Sequence, residues 1–395
     1  MNERRDSCDV QRPLRVLHCP TMTRGHPYAL ALAEREVGLE SWSLALEQTP
    51  FDFESDEVVF SRPANPLVRE LWRWPLLWRA IRKYDVIHFN CGQSLMPVSV
   101  GIGSPQADNH ARWARALYNR YVRAFEQCDL RVLKRAGKGI VVTYQGEDAR
   151  QGDYCRQHFE TNYVEEVERG YYSAESDDRK RKRIDTFARY ADRIYSLCPD
   201  LLHVLPHHAE FLPYAHVDPR VWRPAETTSQ VNDAPVVLHA PSHRGVKGTR
   251  FILEAVSRLQ QEGVKLEFVL VENMAYPDAK RAYQRADLLI DQLLCGWYGG
   301  LAVELMALGK PVMCYLRDSD LGFVPETMRD ELPIIRITPE TVYDELKEWL
   351  TRRRGHLSDL GRRSRAFVEC WHDPLRIAER LKNDYQRILQ ERRAR

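Results

Sequence analysis

Short apolar runs that stop abruptly in glycine-containing polar loops recur along this chain. Each is followed by residues that are apolar at helical spacing. That alternation constrains the fold more than any other feature, because it selects α/β architecture with parallel strands. Arg15–Cys19 reads as a buried strand. A loop runs from Pro20 to Pro27, and Ala29, Leu30, Leu32, Ala33 and Val37 then recur at helical spacing up to a stop at Gly38. Asp85–Asn90 and Gly139–Tyr144 read as further strands, ending in Cys91-Gly92-Gln93 and Gln145-Gly146-Glu147-Asp148. The stretch from Trp222 to Ala234 is rich in Pro, Thr, Ser and Asn and reads as an interdomain linker. The pattern then restarts. A strand at Pro235–His239 is followed by a polar loop to Gly248 and a helix with Ile252, Ala255, Val256 and Leu259 on one face. Strands follow at 266–271, 287–291 and 311–316.

Each half therefore reads as a Rossmann-type unit, and such sheets place their ligands at the carboxyl ends of their strands. A chain of 395 residues, 44% hydrophobic and 29% charged, can bury the cores of two or three domains. The 58 Lys and Arg nearly balance the 56 Asp and Glu, which excludes a nucleic-acid partner held by bulk charge. No apolar run is long enough to span a membrane, and nothing resembling a signal peptide follows Met1. Nine cysteines, none in a CxxC pair, read as reduced thiols and imply a cytoplasmic protein; no zinc-ligand spacing occurs.

Two segments carry chemistry. In the first, Gly296-Trp297-Tyr298-Gly299-Gly300-Leu301-Ala302-Val303-Glu304, glycines allow close backbone approach ahead of a helix whose free N–H groups suit a diphosphate. Glu304 is expected in the first helical turn, where a carboxylate can accept two hydrogen bonds from a ribose diol. A plain strand–loop–helix turn is the alternative. The second is His239-Ala240-Pro241-Ser242-His243-Arg244-Gly245-Val246-Lys247-Gly248. Its cations Arg244 and Lys247 suit a leaving diphosphate, and a solvated basic turn is the alternative. Neither GxxxxGK[ST] nor GxGxxG occurs.

Together these segments resemble the C-terminal half of retaining family 4 glycosyltransferases of the GT-B fold. Arg244…Lys247-Gly248 is similar to that family's phosphate loop, and Gly299-Gly300-Leu301…Glu304…Gly309-Lys310-Pro311-Val312 to its donor-binding helix. Tyr190–Leu202, Phe211–Asp218 and Val142–Asp148 resemble further family segments in the family's order, so the likeness spans most of residues 13–375. The resemblance implies two Rossmann-like domains facing a central cleft. It places an acceptor domain at 1–222, a donor domain at 223–373 and a helix at 374–395 that returns to the first domain. It implies transfer of a hexose-type sugar, with retention, from a nucleotide diphosphate sugar to an acceptor hydroxyl. UDP is favoured over GDP, and no metal or cofactor is implied. The acceptor would be a small molecule, a glycan or a lipid-linked sugar. By resemblance, Arg244, Lys247, Ser242, the Gly299–Leu301 amides and Gly25 hold the diphosphate, Glu304 holds the ribose, and Gln145 and Asp148 face the acceptor.

Two departures stand out. The family's pair of glutamates, separated by seven residues, is here Gly296 and Glu304, and its loop histidine is Gln145. They motivate two rival readings, a non-catalytic nucleotide-sugar-binding subunit and a GT-B epimerase. Thr23, Arg24, Gly25 and His26 lie on the first strand–helix loop, facing the donor by resemblance. Arg150 edges the acceptor side, and His88 is read as a packed histidine. Asp318-Ser319-Asp320 is read as a surface turn, the arginines at 352–354 and 362–365 as a solvated face. Cys155 and the pair His207-His208 show no partner spacing.

Residues 66–84 interleave Leu71, Trp72, Trp74, Leu76, Leu77, Trp78 and Ile81 with five cations and one acid. This reads as a packed helix with a solvated basic face, interrupted at Pro75, or as a peripheral contact with the inner membrane face. Residues 151–189 are expected to form an insertion that covers the acceptor side.

Overall fold

The structure, a computed structural model, describes residues 12–48, 53–62, 65–98, 109–224, 233–274 and 276–394. Two all-parallel sheets organise it. The first has the order β3-β2-β1-β4-β5-β6-β7. Its strands are β1 (Arg15–Cys19), β2 (Glu40–Glu47), β3 (Glu57–Phe60), β4 (Val86–Asn90), β5 (Gly139–Tyr144), β6 (Arg193–Ser196) and β7 (Glu210–Phe211). The second has the order β12-β11-β10-β8-β9. It contains β8 (Val236–His239), β9 (Glu267–Leu270), β10 (Leu288–Ile290), β11 (Val312–Cys314) and β12 (Ile334–Arg336). β4, β5, β8, β10 and β11 are buried at every residue. Parallel strands covered by helices on both faces carry continuous apolar runs, which is why these strands were legible in sequence.

Helices α1 (His26–Glu36), α2 (Pro66–Lys83), α3 (Asn109–Phe125), α4 (Cys128–Arg135), α5 (Gly152–His158) and α6 (Ala174–Tyr190) accompany the first sheet. The second carries α7 (Arg244–Lys247), α8 (Thr249–Gln261), α9 (Tyr276–Arg285), α10 (Gly300–Ala307), α11 (Asp318–Leu321), α12 (Glu326–Asp330), α13 (Val342–Leu350) and α14 (Leu357–Trp371). Helix α15 (Pro374–Arg393) then packs along α1 of the first domain. Its Tyr385 Oη donates to buried Glu34 Oε1 at 2.9 Å and lies 2.7 Å from His88 Nδ1. His88 Nδ1–H therefore donates to Tyr385, and Nε2 accepts from Thr143 Oγ1 at 2.7 Å. Burial keeps that imidazole neutral by pushing its pKa well down. The other Glu34 oxygen takes Ser41 Oγ at 2.6 Å and His18 Nε2 at 2.8 Å.

Several expectations need correction. Pro75 does not interrupt α2. The helix runs through it for 18 residues, because packing of Leu76, Leu77 and Ala80 holds the turn that the proline weakens. Its solvated face is apolar as well as basic: Leu67, Leu71 and Trp78 are exposed alongside Arg82 and Lys83, while Arg73 is buried against Glu70. Arg365 is no solvated residue, since its guanidinium donates to the carbonyls of Pro219, Trp222 and Ala307. Cys155 has a partner, Tyr163 Oη at 2.9 Å. The middle of the expected linker, residues 225–232, lies outside the described residues.

The segment 151–189 forms α5, a 3₁₀ turn at Val164–Glu166 and most of α6. It packs on the loop before α7 and the start of α8 in the second domain. Cys155, Phe159, Tyr163, Val164 and Tyr172 join one apolar cluster with Val246, Leu293, Leu294 and Cys295. Arg250 pairs with Glu166 at 2.7 Å and His243 with Glu168 at 3.1 Å. A Cβ on Gly245 would collide with the Glu166 carbonyl, so only glycine admits this contact.

Candidate functional site

The two expected segments meet between the sheets. β10 is followed directly by Asp291, whose Oδ2 accepts the Gly299 N–H at 2.5 Å and whose Oδ1 lies 3.1 Å from Lys247 Nζ. Lys247 is buried and also reaches Gln292 Oε1. A Cβ on Gly299 would sit 3.1 Å from Lys247 Nζ, so glycine gives the ammonium room. Asp291 thus takes, at once, the cation and the amide that the sequence assigns to an anion. Arg244 is elsewhere: exposed at the loop's outer edge, bidentate on Glu272 with Nε 2.8 Å from Oε1. Ser242 is exposed too. The structure brings Lys247 and Gly299 together and leaves Arg244 and Ser242 outside that group.

At Gly300 the chain enters α10, and Leu301 is buried behind it. A Cβ on Gly300 would lie 3.1 Å from Arg24 Cδ and 3.3 Å from His216 Nε2, so the first-domain loop touches the helix start. Glu304 lies one turn further, in the second turn of α10 and not the first, because the helix begins at Gly300 and not earlier. Its Oε1 is 3.5 Å from His216 Nε2, and Tyr276 hydrogen-bonds it, an arrangement that together with burial pushes the phenol pKa up. Lys247 and Glu304 are thus connected through Gly299 and Gly300.

Two features there are unspent. Arg24 has φ +53°, a left-handed backbone that costs a non-glycine residue about 1 kcal/mol. No acidic side chain pairs with it among the described residues. Gly25 follows with φ +67°, and its nearest side chain is Phe53. His216 is buried, yet neither ring nitrogen makes a hydrogen bond. The Arg24 side chain lies beside the amide-rich start of α10 and the unsatisfied imidazole, groups that can donate to an anion.

The acceptor-side residues are arranged differently from expectation. Asp148 turns its carboxylate onto its own loop, accepting Gly146 N–H at 2.6 Å and Gln145 N–H at 3.0 Å. Burial pushes its pKa up to about 6 despite those bonds. It braces the loop. Gln145 leaves Nε2 buried without a partner. Arg150 is no open edge: it is buried, 2.8 Å from Asp200 and stacked over Tyr163.

The position of the absent first glutamate is filled from elsewhere. Gly296 has φ +77°, and a Cβ there would collide with Asp320 Oδ2 and come within 2.6 Å of Arg317 Nη1. Asp320 is fully buried in α11, 2.9 Å from both Arg317 Nη1 and His203 Nε2. This corrects the surface-turn reading of Asp318–Asp320: Asp318 and Ser319 are exposed, but α11 turns Asp320 inward onto Arg317. Arg317 continues to the Thr161 carbonyl at 3.0 Å and stacks on Phe159, tying the insertion to this corner. Sequence reasoning missed Asp291, His216, Arg317 and His203. Asp291 was within reach, as a carboxylate closing an apolar strand. The others come from distant loops and gave no local signal.

No protein-family model and no curated protein matches the chain. Solved structures do. A sucrose-phosphate synthase from Thermosynechococcus elongatus superposes with a TM-score of 0.57 at 15% identity, over 96% of this chain and 100% of that one. The catalytic domain of starch synthase IV from Arabidopsis thaliana, bound to ADP and acarbose, gives 0.56 at 10% identity, over 96% and 99%. HepE of Anabaena, in complex with UDP-glucose, gives 0.53 at 9% identity, over 94% and 99%. The fold is GT-B. At these identities the likeness establishes that fold and nothing finer. Arg24 and His216 of the first domain meet Gly300 and Glu304 of the second here, beside Gly299 and Lys247.

Proposed function

We propose that this chain is a glycosyltransferase that moves a hexose-type sugar from a nucleotide diphosphate sugar to an acceptor hydroxyl, with retention of configuration. One observation carries the reading: within a GT-B cleft, Arg24, the α10 amides and Lys247 converge on a corner that also holds Glu304. Glu304 holds the ribose diol. Lys247, released from Asp291, and Arg24 stabilise the leaving diphosphate. Retention by front-face attack needs no enzymic nucleophile, since a departing phosphate oxygen accepts the acceptor's proton. The protein supplies charge stabilisation and alignment. Gln145, with its unpaired amide, points the acceptor hydroxyl. We assign UDP as the preferred nucleotide, in keeping with the fold shared with a UDP-glucose complex.

A thermal-shift screen of UDP, GDP, ADP and dTDP tests the donor side, because a ligand that binds only the folded state raises its melting temperature. UDP should give the largest shift. Arg24→Gly, which relieves the backbone strain and removes the cation, should leave the ligand-free melting temperature unchanged or higher and weaken UDP binding by about tenfold or more. Absence of a shift with every nucleotide sinks the proposal. A second reading, nucleotide-sugar binding without transfer, draws on Gly296 and the ion pair that fills its corner. It predicts a UDP shift with neither transfer nor slow hydrolysis of any UDP-hexose.

A further inference from the structure

Helix α2 buries Leu76, Leu77 and Ala80 yet leaves a second apolar face in the open. Its inward face carries Glu70 and Arg73, joined at 3.0 Å, while its outward face carries Leu67, Leu71, Trp74 and Trp78, stepping by four, three and four residues. Leu67 is 75% exposed, Leu71 70% and Trp78 62%. α3 packs beside it, with Tyr118 Oη 3.1 Å from Glu70 and Phe125 edge-on to Trp74. That register runs the two helices in one direction and sets Trp113 and Leu117, also exposed, beside the Leu67 end. The result is an apolar ridge across two helices, of a kind rare on a monomeric soluble surface unless something covers it.

Charge says what covers it. α2 and α3 together contain nine Lys and Arg and one Glu, a net charge of +8. The whole chain carries only +2, so everything else sums to −6. Arg82, Lys83, Arg120 and Arg123 are exposed and have no acidic partner among the described residues. Arg82 lies over the Trp78 ring. Tryptophans and leucines flanked by unpaired cations fit the boundary of an anionic bilayer, where rings sit among headgroups and long cationic stems reach phosphate. No helix among the described residues is long and apolar enough to cross a membrane, so the contact is one of lying on the surface.

A cavity of about 390 Å³ opens at the same helices, lined by Thr21, Met22, Arg69, Arg73, Gln93 and Tyr118. Thr23 also lines it, and the next residue is Arg24, at the transfer corner. We propose that α2 and α3 dock the protein on an anionic lipid surface, so that the cavity receives the head of a membrane-anchored acceptor beside the donor corner. The acceptor assignment rests on the transferase reading above. The docking does not, and the two fail separately.

The test uses the full chain and vesicles of phosphatidylcholine with and without phosphatidylglycerol. The protein should co-sediment only with the anionic vesicles, and added salt should weaken the binding. Leu71→Glu and Trp78→Glu should each reduce partitioning by at least about tenfold, while the melting temperature and its shift with UDP stay as in wild type. Wild-type protein that stays in the supernatant with anionic vesicles overturns the proposal. So do variants that bind as well as wild type. A chain that is dimeric, and monomeric as Leu71→Glu, without vesicle binding assigns the ridge to a second copy instead. A lost UDP shift with intact vesicle binding rejects the donor reading alone.

Discussion

Replacing Gly296 by alanine tests the account of the donor-domain corner at its most constrained point. Two costs add. The first is backbone: Gly296 sits at φ +77°, and a left-handed conformation costs a residue with a Cβ about 1–2 kcal/mol. The second is space. The new methyl would meet Asp320 Oδ2 and Arg317 Nη1, and neither can swing aside cheaply. Asp320 is fully buried and held by His203, while Arg317 is held by the Thr161 carbonyl and the Phe159 ring. Overpacking of this kind costs about 1–3 kcal/mol. The sum, about 2–5 kcal/mol, corresponds to a fall of roughly 5–15 °C in melting temperature for a domain of this size. Gly137→Ala supplies the control: φ there is +72° with nothing within 4 Å of an added Cβ, so it should lose only the backbone part, about 1–2 kcal/mol. Differential scanning calorimetry of both variants separates the two costs. A Gly296→Ala protein that melts with wild type refutes the argument, and one that matches Gly137→Ala refutes its steric half. The same reasoning forbids simple reinstatement of a glutamate at 296, which should destabilise at least as much as alanine.

Three further outcomes are expected. Tyr385→Phe removes a donor from buried Glu34 and an acceptor from His88, so denaturant unfolding should show a loss of about 1–3 kcal/mol; an unchanged midpoint would mean that α15 is not anchored there. Asp129 is fully buried, its Oδ1 unpartnered, and burial pushes its pKa up to about 6. A carboxyl raised in the folded state stabilises below its unfolded pKa, near 4, and loses that contribution as pH rises through 6. Asp129→Asn should therefore gain on wild type by roughly 2–3 kcal/mol between pH 4 and 7, read from urea midpoints; a pH-independent difference rejects the assignment. Deleting the Glu166 and Glu168 contacts, as Glu166→Ala with Glu168→Ala, removes two solvent-screened contacts and should leave the urea midpoint nearly unchanged. A larger loss, by the same urea titration, would show that they hold the insertion on the donor loop more firmly than surface pairs do elsewhere.

Local sequence determined a great deal here. The strands at 15–19, 139–144 and 236–239 declared themselves because strands buried on both faces need unbroken apolar runs, and those runs stop where the sheet stops. The glycines at 299 and 300 declared themselves because close backbone approach excludes side chains. What sequence could not decide was which charges cancel. Arg244 and Lys247 look equivalent three residues apart, yet one stays exposed and turns to half-buried Glu272 while the other is buried against Asp291, a difference created by strands that meet only after folding. Asp320 looked like a surface turn until the helix turned it back onto Arg317, three residues earlier, and His203 arrived beside it from the first domain. The exposed apolar face of α2 was hidden for the same reason: the helix is apolar on two sides, and only the packed neighbours show which one is turned inward.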